Sequence, residues 1–311
     1  MKTRVATLVL TGTLLLSVGC SSPSSRSSLI ALPCDSMASL TISSNSKSNT
    51  LLSLDGCGCI TAITRDGTVG KCRHVNAGPG VMAVDADKNI WISDTFRRRT
   101  IIISPSNKVL SYGAFTPKSY PISVVTSQEL GGAWLIEMDD PSIHYVNLKS
   151  KIHDRFALKG QPIEMTAQGR SAVVLLKGGI VERISASGHI QRIYSVRHGH
   201  LYGVAASESN SLWILGAGGA LLITDDGKEK RYPCQECSLY EGASATDGSL
   251  WASDALRGVV YHIQRNGEMT KIAVGDRISP PGQVVATGDG SIWVAVGENK
   301  IKVISAGESL P

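Results

Sequence analysis

Three groups of residues in this 311-residue chain are of types and spacings that do chemistry. Cys234-Gln235-Glu236-Cys237 is a Cys-x-x-Cys pair, which supports redox exchange when it opens a helix that lowers one thiol pKa. No helical periodicity follows Cys237, so the pair reads first as a disulfide stapling a loop. His198-Gly199-His200 has a spacing found in metal sites, but the sequence supplies no recognisable third ligand, and no metal site is assigned. The third group is a mixed set of charges: Asp94, Asp139, Asp140, Glu241 and Asp254 against Arg97, Arg98, Arg99, Arg257 and Arg277, with His74 and Tyr240. Gathered on one face, these would bind an acidic ligand or a protein; scattered, they are solvated surface. A Gly-x-Ser-x-Gly elbow, a P-loop and a zinc-peptidase His pair are all absent, so motifs assign no catalytic residue and no cofactor.

With 42% hydrophobic and 18% charged side chains, the chain can bury a core. The charge balance of 31 Lys+Arg against 26 Asp+Glu leaves only +5, spread along the chain. Nucleic-acid binding calls for a clustered basic stripe, so no such partner is expected. Lys2 and Arg4 precede an apolar run from Val5 to Gly19, which is short for a membrane span and has the layout of a signal peptide. Leu16-Ser17-Val18-Gly19-Cys20 then resembles the lipobox of bacterial lipoproteins, with Ser17 where Leu is usual. That resemblance implies a signal peptide over residues 1–19, lipidation of Cys20, and a Ser-rich tether over 20–28. Ser21 in place of Asp implies the outer membrane, facing the periplasm, if the cell is Gram-negative. The expected partners are thus the membrane itself, through the lipid, and an envelope protein or surface polymer.

The elements that position these groups follow from a repeat. Trp91, Trp134, Trp213, Trp251 and Trp293 keep one rhythm of about forty residues, with one double step between Trp134 and Trp213. About fifteen residues after each repeat position comes a turn: Asp66-Gly67, Ser106-Asn107, Lys149-Ser150, Ser187-Gly188, Asp226-Gly227, Asn266-Gly267 and Ala306-Gly307. Gly and Asn recur there because a tight hairpin needs positive φ. Units of four short strands at this period mark propeller blades. The expected fold is all-β, a single seven-bladed propeller of four-stranded antiparallel blades over residues 29–311. The Trp positions should pack between neighbouring blades, since one sheet alone exposes both faces. The last unit, from Gln283, has room for three strands, so residues 28–33 are expected to add the fourth and close the ring. Six cysteines besides Cys20 are compatible with disulfides; Cys59 and Cys72, on the two arms of the Asp66-Gly67 hairpin, are one candidate pair.

Ile90-Trp91-Ile92-Ser93-Asp94-Thr95-Phe96-Arg97-Arg98 resembles an NHL-type repeat. Asp247-Gly248-Ser249-Leu250-Trp251 and Asp289-Gly290-Ser291-Ile292-Trp293 resemble blades of the streptogramin lyase (virginiamycin B lyase-like) propellers. The resemblance implies lyase chemistry from a Mg²⁺-binding and acid/base set in the last two blades, with His after Pro at each blade start and Glu after the Trp strand. The matching positions here are Glu241, Asp254, Pro281 and Gly297. Neither imidazole is present, and Asp254 is the remaining carboxylate substitute, so the chain reads first as a binding or scaffold relative, with a lyase or hydrolase acting at the mouth of the central channel as the alternative. In a propeller the blade-to-blade loops share one face with the turns between second and third strands. That face is expected to collect the charged set above with His198 and His200.

Overall fold

The computed structural model describes residues 28–32, 41–44, 50–55, 57–64, 66–78, 80–115, 117–195, 200–207, 210–275, 281–297 and 299–305; Cys20, His198 and Arg277 lie outside them. The described residues form strands and turns, grouped in seven antiparallel blades that follow one another along the chain. The innermost strands are Thr41–Ser44, Met82–Val84, Tyr120–Thr126, Pro162–Gln168, Leu201–Ala206, Gly242–Ser244 and Pro281–Ala286. Each contacts its neighbours in chain order, and the seventh contacts the first, which makes a ring. In blade 5 the second and third strands run on as Leu212–Ile223, turning at Gly218 and Gly219, both at positive φ.

Local chemistry sets the hairpins. Gly67, Asn107, Gly188, Gly227 and Gly267 each donate an amide to the carbonyl three residues back, and all five have φ between 68° and 109°. A side chain with a Cβ is disfavoured in that region, which is why Gly or Asn stands there. In blade 3 the positive φ falls on Lys151, just beyond the expected Lys149-Ser150.

The core is seven separate clusters, one between each pair of adjacent blades. Trp134 of blade 3 lies with Met165, Val174 and Leu176 of blade 4. Trp213 of blade 5 lies with Leu250, Val259 and Ile263 of blade 6, and its Nε1 donates to the Gly248 carbonyl at 3.2 Å. Trp293 of blade 7 lies with Ile30, Leu51 and Ile63. In blade 4, Val173 pairs with Thr166 as Trp134 pairs with Val125, and it packs against blade 5. The Trp series is therefore the inter-blade packing that a lone sheet cannot supply.

The ring closes as expected. Ser28–Ala31 pairs antiparallel with Lys300–Ile304, from Ser28 opposite Val303 to Ala31 opposite Lys300, and the Leu32 amide donates to the Asn299 carbonyl at 2.7 Å. Ile30 and Leu32 are buried in the cluster between blades 7 and 1. Cys59 and Cys72 form a disulfide with Cα atoms 5.5 Å apart, and Cys57 is also disulfide-bonded.

The expected Cys234–Cys237 staple is corrected: both cysteines are free thiols, and they lie within the outer strand Glu229–Ser238 rather than in a loop. The strand bulges between Pro233 and Ser238, where it faces only Ala217–Gly219. Cys237 is buried and its thiol points to the Cys234 carbonyl at 3.4 Å. Burial, then the neighbouring Cys234, push the Cys237 thiol pKa up, which keeps it a poor nucleophile.

Two outcomes follow from this packing. Trp213→Ala is expected to cost about 3–5 kcal/mol in denaturant unfolding, the range for emptying a buried aromatic site. Deleting residues 28–32 should lower the melting temperature and promote self-association through the bared Lys300–Ile304 edge, read by differential scanning calorimetry and light scattering.

Candidate functional site

Backbone hydrogen bonds tie the blade-to-blade connections to the turns between second and third strands. Val75 donates to Gly58, Ala114 to Arg98, Leu158 to Pro141, Lys177 to Gln161 and Val274 to Gly258. These connections and turns thus share one face of the ring, and the described members of the charged set lie on it, distributed from blade to blade. Most of them are engaged in holding that face together.

Asp94 is fully buried at the end of its Trp strand. It accepts from the Arg97 amide at 3.2 Å and from Arg99 Nε at 3.0 Å, and Arg97 Nη1 stands 3.6 Å away. Arg98 donates to the Lys118 carbonyl at 2.7 Å and lies over the Tyr120 ring, and Arg99 also reaches the Asn76 carbonyl. Asp254 repeats the Asp94 arrangement in blade 6: it is fully buried, with Oδ2 accepting from the Ser238 amide at 3.0 Å and from Arg257 Nη1 at 3.1 Å. The Asp-x-x-Arg turn is a structural clamp that recurs in the ring. Asp139 and His200 are exposed on this face, as is His74 at the end of a short outer strand.

Around the mouth of the ring the inner strands place four residues at one level. Ser123 pairs with Ile136, Glu164 with Leu175 and Gly203 with Leu215, each two positions beyond the Trp position of its blade; in blade 6 the Ser253 amide donates to the Glu241 carbonyl at the same height. Three of these strands carry a bulge one residue earlier, at Ile122, Ile163 and Tyr202, which re-aims the following side chain. Glu164 and Glu241 thus stand on either side of Gly203. A Cβ at Gly203 would meet the Tyr240 carbonyl at 2.2 Å, so glycine is required for blade 5 to approach the start of blade 6. That approach stacks Tyr202 on Tyr240, with ring centroids 4.4 Å apart and planes 16° from parallel.

Both carboxyls are held above the ordinary carboxylate value. For Glu164 the largest cause is burial, then the Glu241 charge, opposed by the Met165 amide and the Ser123 hydroxyl. For Glu241 it is lost hydration: the side chain keeps solvent access, but the surrounding blade starts displace much of its water. Burial, then the Tyr202 hydroxyl, also raise Tyr240. The mouth thus sets two carboxyls able to hold a proton nearer neutrality than usual close to a stacked tyrosine pair.

The virginiamycin B lyase family profile matches residues 30–304, nearly the whole described ring. The chain belongs to that family. Among solved structures it is similar to a streptogramin B lyase, at 15% identity over 89% of this chain and 97% of that one, with a TM-score of 0.78. Virginiamycin B lyase from Staphylococcus aureus matches at 16% identity over 90% of this chain and 99% of that one, with a TM-score of 0.77. A catalytically inactive variant of that enzyme with quinupristin matches at 15% identity over 90% of this chain and 100% of that one, with a TM-score of 0.78. No curated protein matches. At these identities the structural likeness speaks for the fold alone.

The Mg²⁺ that the family resemblance implies does not fit the residues present at its matching positions. Pro281 and Gly297 offer no side-chain ligand, and the Arg257 guanidinium already neutralises Asp254 at 3.1 Å. Of the two carboxylates at those positions, Asp254 has Oδ2 held by Arg257 and Oδ1 buried, which leaves Glu241 as the one side chain placed to coordinate. Of the residues expected on the binding face, Tyr240 and Glu241 lie beside Glu164 and Tyr202, which sequence reasoning did not single out. A charged residue breaking the apolar inner strand Pro162-Ile163-Glu164-Met165 was the available signal for Glu164.

If the Asp-x-x-Arg turn is a clamp, Asp94→Ala and Asp254→Ala should each cost about 3 kcal/mol in unfolding, despite lying on different sides of the ring. A large loss confined to Asp254→Ala would contradict the shared role. The glutamates predict a pH dependence. Their folded pKa values lie above the unfolded value of about 4.5, so the folded chain holds protons the unfolded chain has shed, and stability falls as pH rises above that value. Melting curves between pH 4 and 9 should show this decline in the wild type and flatten in Glu164→Gln.

Proposed function

We propose that the chain is an envelope-anchored binding module whose mouth, at blades 4 to 6, receives a cationic group carried by an envelope protein or a surface polymer. What carries the reading is the pairing of Glu164 and Glu241 beside the Tyr202–Tyr240 stack: an incoming cation favours the ionised form of the two carboxyls, which then supply charge complementarity, and tyrosine faces attract a desolvated cation. The arginines that would have suited an acidic ligand are engaged in turns. Lipidation of Cys20 anchors the module, on the outer membrane facing the periplasm in a Gram-negative cell, and the Ser-rich segment gives it reach.

A second reading, a lyase like its family, is favoured by one observation: a carboxyl of raised pKa at a blade start is the kind of group that takes or gives a proton near neutral pH. In that case Glu241 moves the proton, with Glu164 holding its charge state.

One experiment separates the two. Purified chain is incubated with quinupristin and excess Mg²⁺, and the intact compound is followed by chromatography. The binding reading expects no turnover beyond a protein-free control; turnover abolished by Glu241→Gln would establish the lyase reading instead. Partner capture by crosslinking on intact envelopes should fall at least several-fold in the Glu164→Gln, Glu241→Gln double variant. Cys20→Ala should release the chain into the soluble fraction.

A further inference from the structure

Blade 3 holds a second cluster away from the mouth at blades 4 to 6. Glu137 is next to last in its Trp strand, Ala133–Met138, Asp140 lies in the following turn and His144 is in the third strand, Ser142–Asn147. All three are at most 1% exposed, and one ligand atom of each lies within 4.8 Å of the others. From the geometry we infer that Glu137, Asp140 and His144 form a site for a first-row divalent ion, with Zn²⁺ as the first choice.

Three observations carry the site. The His144 Nε2 to Asp140 Oδ2 separation is 3.3 Å. Two ligands about 2.0–2.1 Å from a shared tetrahedral ion stand about 3.3 Å apart, so this edge is already formed. The imidazole is also fixed in orientation. Phe115 stacks on it with centroids 4.6 Å apart, and His144 Nδ1 is 3.2 Å from His153 Nε2. When Nδ1–H donates to His153, the Nε2 lone pair is left facing Asp140, which is the outer support that metal-binding histidines usually have. Finally, all three side chains are buried, with the Arg155 guanidinium 2.8 Å from Asp140 Oδ1 at the edge of the cluster.

The cluster is held from outside. Arg155 bonds Asp140 Oδ1, and Oδ2 faces His144 Nε2. Glu137 Oε1 accepts from the Phe115 amide at 2.7 Å and Oε2 from the Ser119 hydroxyl, contacts that aim the carboxylate. One imidazole and two carboxylates suit Zn²⁺ or Mn²⁺ better than Mg²⁺, which prefers six oxygens. The Glu137-x-x-Asp140-x-x-x-His144 spacing matches no helical or hairpin metal motif, so only the strand–turn–strand fold brings it together.

The test is Zn²⁺ titration of the metal-stripped full chain by isothermal calorimetry, with X-ray absorption on the loaded wild type. Expected are one equivalent per chain and a first shell of one imidazole with oxygen ligands. Glu137→Gln or His144→Ala should abolish that equivalent, and His153→Ala should weaken it by about tenfold or more. Glu241→Gln should leave it unchanged. No stoichiometric ion would overturn the inference, as would sulfur in the first shell or binding unaffected in natively folded Glu137→Gln. The absorption measurement needs no variant, so a substitution that fails to fold leaves the inference open to refutation.

Discussion

The structure depends on a surface that no blade can bury alone. Five of the seven sheets carry a tryptophan, with Leu52 in its place in blade 1 and Val173 in blade 4, on a face that is covered only by the next blade, and the seven resulting clusters share no residues. Stability is therefore a property of the ring. A chain of such units must either expose its first and last faces or join them, and Ser28–Ala31 joins them by taking the outer place beside Lys300–Ile304. The join brings Ile30 and Leu32 into the core.

This packing leaves function to the short connections. The second-to-third-strand turns are stiffened by buried aspartates paired with arginine, as in Asp94 with Arg97 and Arg99 and in Asp254 with Arg257. Residues that look like a charged binding rim in sequence are mostly the fasteners of that rim. The side chains set toward the mouth are instead those following the inner-strand bulges, where the ladder slips by a residue, together with Tyr240 and Glu241 at the start of blade 6. Gly203 ties the two features, since its missing Cβ admits the Tyr240 backbone.

How much was legible in the sequence follows the same division. Period, blade count, hairpins, closing strand and the Cys59–Cys72 disulfide were readable because each leaves a local or periodic mark: an indole every forty residues, a Gly or Asn at positive φ, an apolar stretch left over at one end. The candidate site left fewer marks. Tyr240 and Glu241 stand beside a blade start, whereas Glu164 and Tyr202 are set by bulges that carry no residue signature. Asp254 is not told apart by sequence, because a buried clamp and a catalytic carboxylate use the same residue type. Cys234 and Cys237 misled because Cys-x-x-Cys specifies proximity along the chain, and a bulged strand can hold two neighbouring thiols unjoined. Glu137, Asp140 and His144 meet across a turn, and no linear spacing rule anticipates them.

The claim on which the rest stands is that the seven blades form one cooperative closed ring with the first strand as a full member. Native-state hydrogen exchange, resolved to individual amides, tests it most directly. The account predicts that the amides pairing Ser28–Ala31 with Lys300–Ile304 open with the same free energy as those of the Trp strands, in one global event. Fast, independent exchange at that seam, with the other blades still protected, would show an open ring and contradict it.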